Sequence, residues 1–169
     1  MKAQISNNNF YKVVILLCLV ICSQLASAQI FKSTSPEKDQ TRNGNKQFKK
    51  ENYADAEADY KKALDKKNNM PEATFNLGDA VYKQKRYGEA QQQFALSSRT
   101  NADPMVKAKA LHNLGNSYME EKKYEDAIRS YKNSLRWNPN DKDTKYNLAY
   151  ANEMLRVKNQ QQQSDKNKD

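Results

Sequence analysis

Apolar residues in this chain fall in stripes of three and four separated by short polar runs. Tyr53, Ala56, Tyr60 and Ala63 follow that rhythm, as do Tyr87, Ala90 and Phe94, and then Tyr124, Ala127 and Tyr131. Such spacings put side chains on one face of a helix. Pro71 and Pro104 suit the first turn of a helix, where the missing N–H costs nothing. The pattern predicts helices near 38–51, 54–67, 71–84, 87–100, 105–121, 124–137 and 141–158. The fold class is therefore all-α.

The helices recur in a fixed frame. Phe75-Asn76-Leu77-Gly78 returns as His112-Asn113-Leu114-Gly115 and as Tyr146-Asn147-Leu148-Ala149. Gly78 to Gly115 is a step of 37 residues and Gly115 to Ala149 a step of 34, while 34 before Gly78 lies Gly44. Twelve residues after the three glycines come Ala56, Ala90 and Ala127, and four further on a ring: Tyr60, Phe94 and Tyr131. A two-helix unit of about 34 residues marks a helical solenoid, in which each pair buries its apolar face only by stacking on its neighbours. A glycine midway along a helix lets the pair approach closely, and the ring is expected to fill the gap to the next pair. The longer step predicts a longer loop around Thr100 to Pro104.

These residues resemble the tetratricopeptide repeat (TPR). The third copy carries Leu111, Leu114, Gly115 and Tyr118, then Ala127 and Tyr131, then Pro139; the second carries Leu77, Gly78 and Val81, then Ala90, Phe94 and Pro104. In the first copy Asn43 and Gln47 stand at positions where the repeat favours leucine and tyrosine, and the last frame has only its first helix. The resemblance covers about residues 37–156 and implies a helix-turn-helix solenoid of about three repeats plus a C-terminal capping helix. It also implies a concave groove lined by the first helix of each pair. In this chain the groove would present Asn45, Phe48, Phe75, Asp79, Tyr82, His112, Asn116, Met119, Tyr146 and Tyr150 to a protein partner. TPRs that clamp a C-terminal carboxylate use basic residues and asparagines there. Asn45 and Asn116 match, but Thr41 and His112 replace lysines and Asp79 replaces an asparagine. A clamp without its cations binds little.

The N-terminal stretch is a different material. Val13 to Cys22 is uninterrupted apolar chain, preceded by Lys12 and followed by Ala26-Ser27-Ala28. It reads as a secretory signal peptide over 1–28, cleaved after Ala28, and is too short to span a bilayer. A lipobox reading at Leu19–Cys22 would acylate Cys22, but Ile21 is a poor residue before the cysteine. Both cysteines lie in this segment, so the mature chain would hold neither a disulfide nor a thiolate site. Residues 29–36 read as a linker. Residues 157–169 read as a glutamine-rich disordered tail with no apolar residue to bury beyond its start.

Charge and chemistry narrow the function. The formal charge is +9, with acidic and basic residues interleaved as on solvated helix faces. No clustered basic stripe points to nucleic acid. His112 is the only histidine and the four glycines stand apart, so no metal site or phosphate-cradling loop is predicted. No cofactor, small-molecule substrate or catalytic residue is predicted; the protein reads as a non-enzyme.

A narrower resemblance comes from the whole arrangement: an exported chain with Arg42-Asn43-Gly44-Asn45 opening the solenoid, Ala110-Leu111-His112-Asn113-Leu114-Gly115 within it, and Asn138-Pro139-Asn140-Asp141 before the last helix and the glutamine-rich tail. It is similar to the BatC-type TPR component of the Bacteroides aerotolerance operon. That resemblance implies a periplasmic or envelope-associated scaffold linked to aerotolerance or stress, with a von Willebrand factor A-type membrane protein as partner. The alternatives are an outer-membrane or envelope-assembly factor, lipidated at Cys22, and an accessory subunit of an enzyme complex.

Overall fold

The computed structural model describes residues 35–99 and 103–166. Among them run seven helices: α1 (Pro36–Lys49), α2 (Tyr53–Lys66), α3 (Pro71–Lys83), α4 (Tyr87–Arg99), α5 (Pro104–Glu120), α6 (Tyr124–Trp137) and α7 (Lys142–Lys166). They pair as hairpins, α1 with α2, α3 with α4 and α5 with α6, while α7 packs on α6. The first helices of successive pairs also touch, α1 to α3, α3 to α5 and α5 to α7. The signal peptide, Cys22 and the start of the linker lie outside the described residues; Pro36, expected in the linker, opens α1.

Within each pair the glycine and the ring meet. A Cβ on Gly44 would lie 2.5 Å from Tyr60 Cε1, one on Gly78 would lie 2.7 Å from Phe94 Cε1, and one on Gly115 would overlap the Tyr131 ring. No side chain fits, so glycine at these positions sets the close approach of the two helices. The ring therefore packs on the glycine of its own pair, rather than chiefly filling the gap to the next one. Ala149, at the equivalent position of α7, is exposed, so its methyl meets no such ring.

The same turn closes every hairpin. Glu51, Lys85 and Lys122 adopt positive φ of 62°, 62° and 57°. In each turn the following N–H reaches back to a carbonyl five residues earlier: Asn52 to Gln47, Arg86 to Val81 and Lys123 to Tyr118. These are left-handed helix stops of the Schellman type.

The extra residues of the 37-residue step do not lengthen the loop. The gap from Arg99 to Pro104 equals those from Lys66 to Pro71 and from Trp137 to Lys142. Instead α5 has 17 residues against 13 in α3, extended at its start. Asp103 makes that start possible by accepting the Met105 N–H at 2.7 Å as an N-cap.

The core is one continuous strip with two centres. Ala56, Tyr60, Leu77, Ala80, Val81, Ala90, Phe94 and Leu114 form the first. Ala127, Ile128, Tyr131 and Ala151 form the second, against which Leu148 and Leu155 of α7 pack, so the last helix caps the solenoid. Beyond Ala151 no residue of α7 is buried. The disordered tail expected from 157 is instead helical to Lys166. Glutamine and lysine favour helix, and extending an existing helix avoids the cost of nucleation.

Candidate partner-binding groove

On the side shared by α1, α3, α5 and α7, polar side chains form a ladder. The residue after each glycine accepts from the asparagine two before the next glycine or its equivalent. Asn76 Nδ2 donates to Asn45 Oδ1 at 3.0 Å, Asn113 Nδ2 to Asp79 Oδ1 at 2.7 Å, and Asn147 Nδ2 to Asn116 Oδ1 at 3.0 Å. The ring behind each rung supplies a second donor where it has a hydroxyl. Tyr60 donates to Asn45 at 2.8 Å and Tyr131 to Asn116 at 2.7 Å. Phe94 has no hydroxyl to give Asp79. Burial pushes the Asp79 carboxyl up to about 7, against the opposing effects of the Asn113 hydrogen bond and the Lys83 charge.

Two clefts flank Asp79. One, of about 200 Å³, is lined by Asn45, Phe48, Lys49, Tyr60, Asn76 and Asp79. The other, of about 350 Å³, is lined by Phe48, Asp79, Tyr82, Lys83, Asn113 and Asn116. Phe48 and Asp79 belong to both. The structure thus brings together Asn45, Phe48, Asp79, Tyr82 and Asn116 of the residues assigned from sequence. Tyr82 is held in place: its ring meets Tyr87 edge-on at 5.2 Å and its hydroxyl donates to Glu120 at 3.2 Å.

The other five are placed differently. Phe75 is half-buried with its ring 5.8 Å from Phe94, and Met119 packs on the second core centre. His112 is also half-buried, its ring 5.8 Å from Tyr131. Its Nδ1 lies 2.6 Å from the Thr144 hydroxyl, which donates to Asp141 Oδ2 at 2.8 Å. That hydroxyl has one hydrogen, so His112 Nδ1–H is the donor; burial lowers the imidazole's pKa despite the nearby Asp141 and Asp143. Tyr146 and Tyr150 are open to solvent, 72% and 52% exposed. They line neither cleft.

Tyr60, Asn76, Asn113 and Asn147 belong to this surface and were not assigned to it from sequence. The signal was present, since the asparagine recurs two before Gly78, Gly115 and Ala149. A repeated position says only that a residue matters to the repeat; which neighbour it bonds is a matter of stacking. No group of three or more His, Cys, Asp or Glu residues among the described residues could hold a metal ion. No described helix is long and apolar enough to cross a membrane.

Family models for the tetratricopeptide repeat match residues 47–112 and 108–141. The chain is a tetratricopeptide repeat protein. Solved TPR structures share its fold. The first TPR domain of human RPAP3 has a TM-score of 0.68 at 24% identity, covering 73% of this chain and 95% of that one. The Sgt2 TPR domain of Aspergillus fumigatus gives 0.68 at 20% identity, covering 75% and 83%. The first TPR of Spaghetti (RPAP3), bound to the HSP90 peptide SRMEEVD, gives 0.66 at 24% identity, covering 70% and 92%. No curated protein matches the chain significantly. In TPR terms α1, α3 and α5 are the first helices of three repeats, α2, α4 and α6 the second helices, and α7 the solitary helix of the last frame.

Proposed function

We propose that this protein is a non-catalytic, exported scaffold that holds a segment of a protein partner along α1, α3 and α5. The observation that carries the reading is the pair of clefts sharing Phe48 and Asp79, walled by amides already fixed by the ladder and by Phe48 and Tyr82, each held edge-on by a second ring. A preorganised wall loses little side-chain freedom on binding. The Spaghetti TPR holds a peptide, which supports a peptide-like occupant here.

That peptide ends in acidic residues, and this groove is built for something else. Thr41 spends its hydroxyl on the Glu37 carbonyl at 2.8 Å, and His112 spends its N–H on Thr144. Neither offers a cation to a terminal carboxylate.

Export rests on the apolar N-terminal run and its small-residue end. The envelope setting, the link to aerotolerance or stress and a von Willebrand factor A-type membrane partner rest on the resemblance to the BatC-type component. The test is crosslinking capture from envelope extract, with the full chain as bait beside Lys49→Glu/Lys83→Glu, two exposed substitutions at the cleft rims. Recovery of a von Willebrand-type membrane protein by the wild type alone supports both groove and partner. Equal recovery by both baits moves the contact off the groove. Recovery of no such protein by either bait removes that partner.

A further inference from the structure

We propose that Asp79 is the point at which the groove receives a lysine or arginine side chain of the bound segment; the proposal rests on the groove reading above. The ladder carries the argument. Asn45 and Asn116 each accept two hydrogen bonds on Oδ1, one from a ring hydroxyl and one from the next repeat. Asp79 accepts one, from Asn113. Phe94 removes the hydroxyl donor at the same rung where a carboxylate replaces the amide, so the position with the greatest acceptor capacity has the fewest donors. Among the described residues no cation lies within ion-pair distance of Asp79. Both clefts open onto it.

A partner's ammonium or guanidinium supplies what the site lacks, a charged donor beside a carboxyl that burial disfavours as an anion. The surroundings define the rest of the segment. The charged and titratable groups that face Asp79 are Lys49 of α1, Tyr60 of α2, and Tyr82 and Lys83 of its own helix, while α5 presents Asn113 and Asn116 and Phe94 of α4 packs on the adjacent Gly78. With Lys49 and Lys83 exposed on either side, the fitting segment carries one base flanked by acidic residues. Binding would then draw the proton off Asp79, so affinity rises with pH.

The experiment selects a random peptide library of roughly 12 residues displayed on phage against the full chain and against Asp79→Asn, whose folding is checked by thermal melting. The expected result is a lysine or arginine enriched at one position with wild type and not with Asp79→Asn. A synthetic peptide of that sequence should weaken about tenfold when the base becomes norleucine or citrulline, about tenfold on Asp79→Asn, and measurably from pH 8 to pH 5.5. Selected peptides without a base, or ending in an acidic terminus, overturn the proposal. Peptides lost on Lys49→Glu/Lys83→Glu yet indifferent to Asp79→Asn overturn it while leaving the groove reading intact. Peptides indifferent to all three substitutions, or no enrichment at all, overturn both.

Discussion

Asp79 accepts the Asn113 side-chain amide at 2.7 Å and has Phe94 behind it where the equivalent asparagines have a tyrosine. One rung of a regular ladder is thereby left with a carboxyl and too few donors. That irregularity separates this rung from its neighbours in charge and in pH response.

The raised Asp79 pKa makes stability fall with pH. The folded value is about 7 and the unfolded one is near 3.9, so the folded chain holds the extra proton between them. Stability contributed by that proton is complete below about pH 4 and lost as pH rises through about 7. Replacing Asp79 by asparagine should raise stability at pH 8 by about 1–3 kcal/mol and leave it nearly unchanged at pH 4. Urea unfolding of both proteins at the two values measures this; an equal effect at both would show that Asp79 titrates normally.

Phe94→Tyr should restore the missing donor. The ring sits against Gly78 as Tyr60 sits against Gly44, so the new hydroxyl falls toward Asp79. A hydrogen bond to the charged form favours it, and the Asp79 carboxyl should titrate lower than in the wild type. Carbon-detected NMR of the side-chain carboxyl reads the shift directly. No change would mean that the hydroxyl does not reach.

Gly78→Ala should destabilise the chain by about 1–3 kcal/mol, the usual cost of forcing atoms into a packed interface. The added methyl meets the rigid, fully buried Phe94 ring at 2.7 Å, and neither helix can withdraw without opening the core. Gly88→Ala is the control, since its Cβ would meet only Glu121 Oε1 at 3.6 Å. Comparable losses in both variants would show that helix flexibility, not the ring contact, governs the effect.

Acid should loosen the joint between the first two repeats. Glu57 is buried, which by itself would raise its pKa, but Lys61 at 2.6 Å, Arg86 at 2.7 Å and Gln84 at 2.8 Å together bring it down to about 2. A depressed carboxyl contributes stability that is present above its unfolded pKa, near 4.3, and lost as pH falls toward 2. Glu57→Gln should therefore lower the melting temperature at pH 7 and erase part of the decline between pH 5 and pH 2. A parallel decline in both proteins would place acid sensitivity elsewhere.

The repeat itself was legible because its cause is local. Gly44, Ala56 and Tyr60 recur at fixed offsets, and each hairpin closes on the same short range of chain, so periodicity alone gives three helix pairs and a seventh helix. Phe48, Asp79 and Tyr82 were assigned to a groove only through the resemblance to the tetratricopeptide repeat, since spacing alone does not say which helix faces a partner. Two boundary features escaped the periodicity. Nothing in a spacing of 37 says whether spare residues enter a loop or a helix; the Asp103 cap decided for α5. A polar tail with nothing to bury looks disordered, yet α7 carries it onward as helix.

Composition and spacing by themselves determined an all-helical solenoid and the recurring glycine, alanine and ring positions, since helical periodicity is set by residues three and four apart. Stacking decided the rest. Only when one repeat lies on the next do Asn76, Asn113 and Asn147 find their acceptors some 30 residues away. The same stacking sets His112 against Thr144 and gives Asp79 its one donor, Asn113. Such properties arise between repeats, where the chain brings distant residues together, and no local pattern encodes which of them will meet.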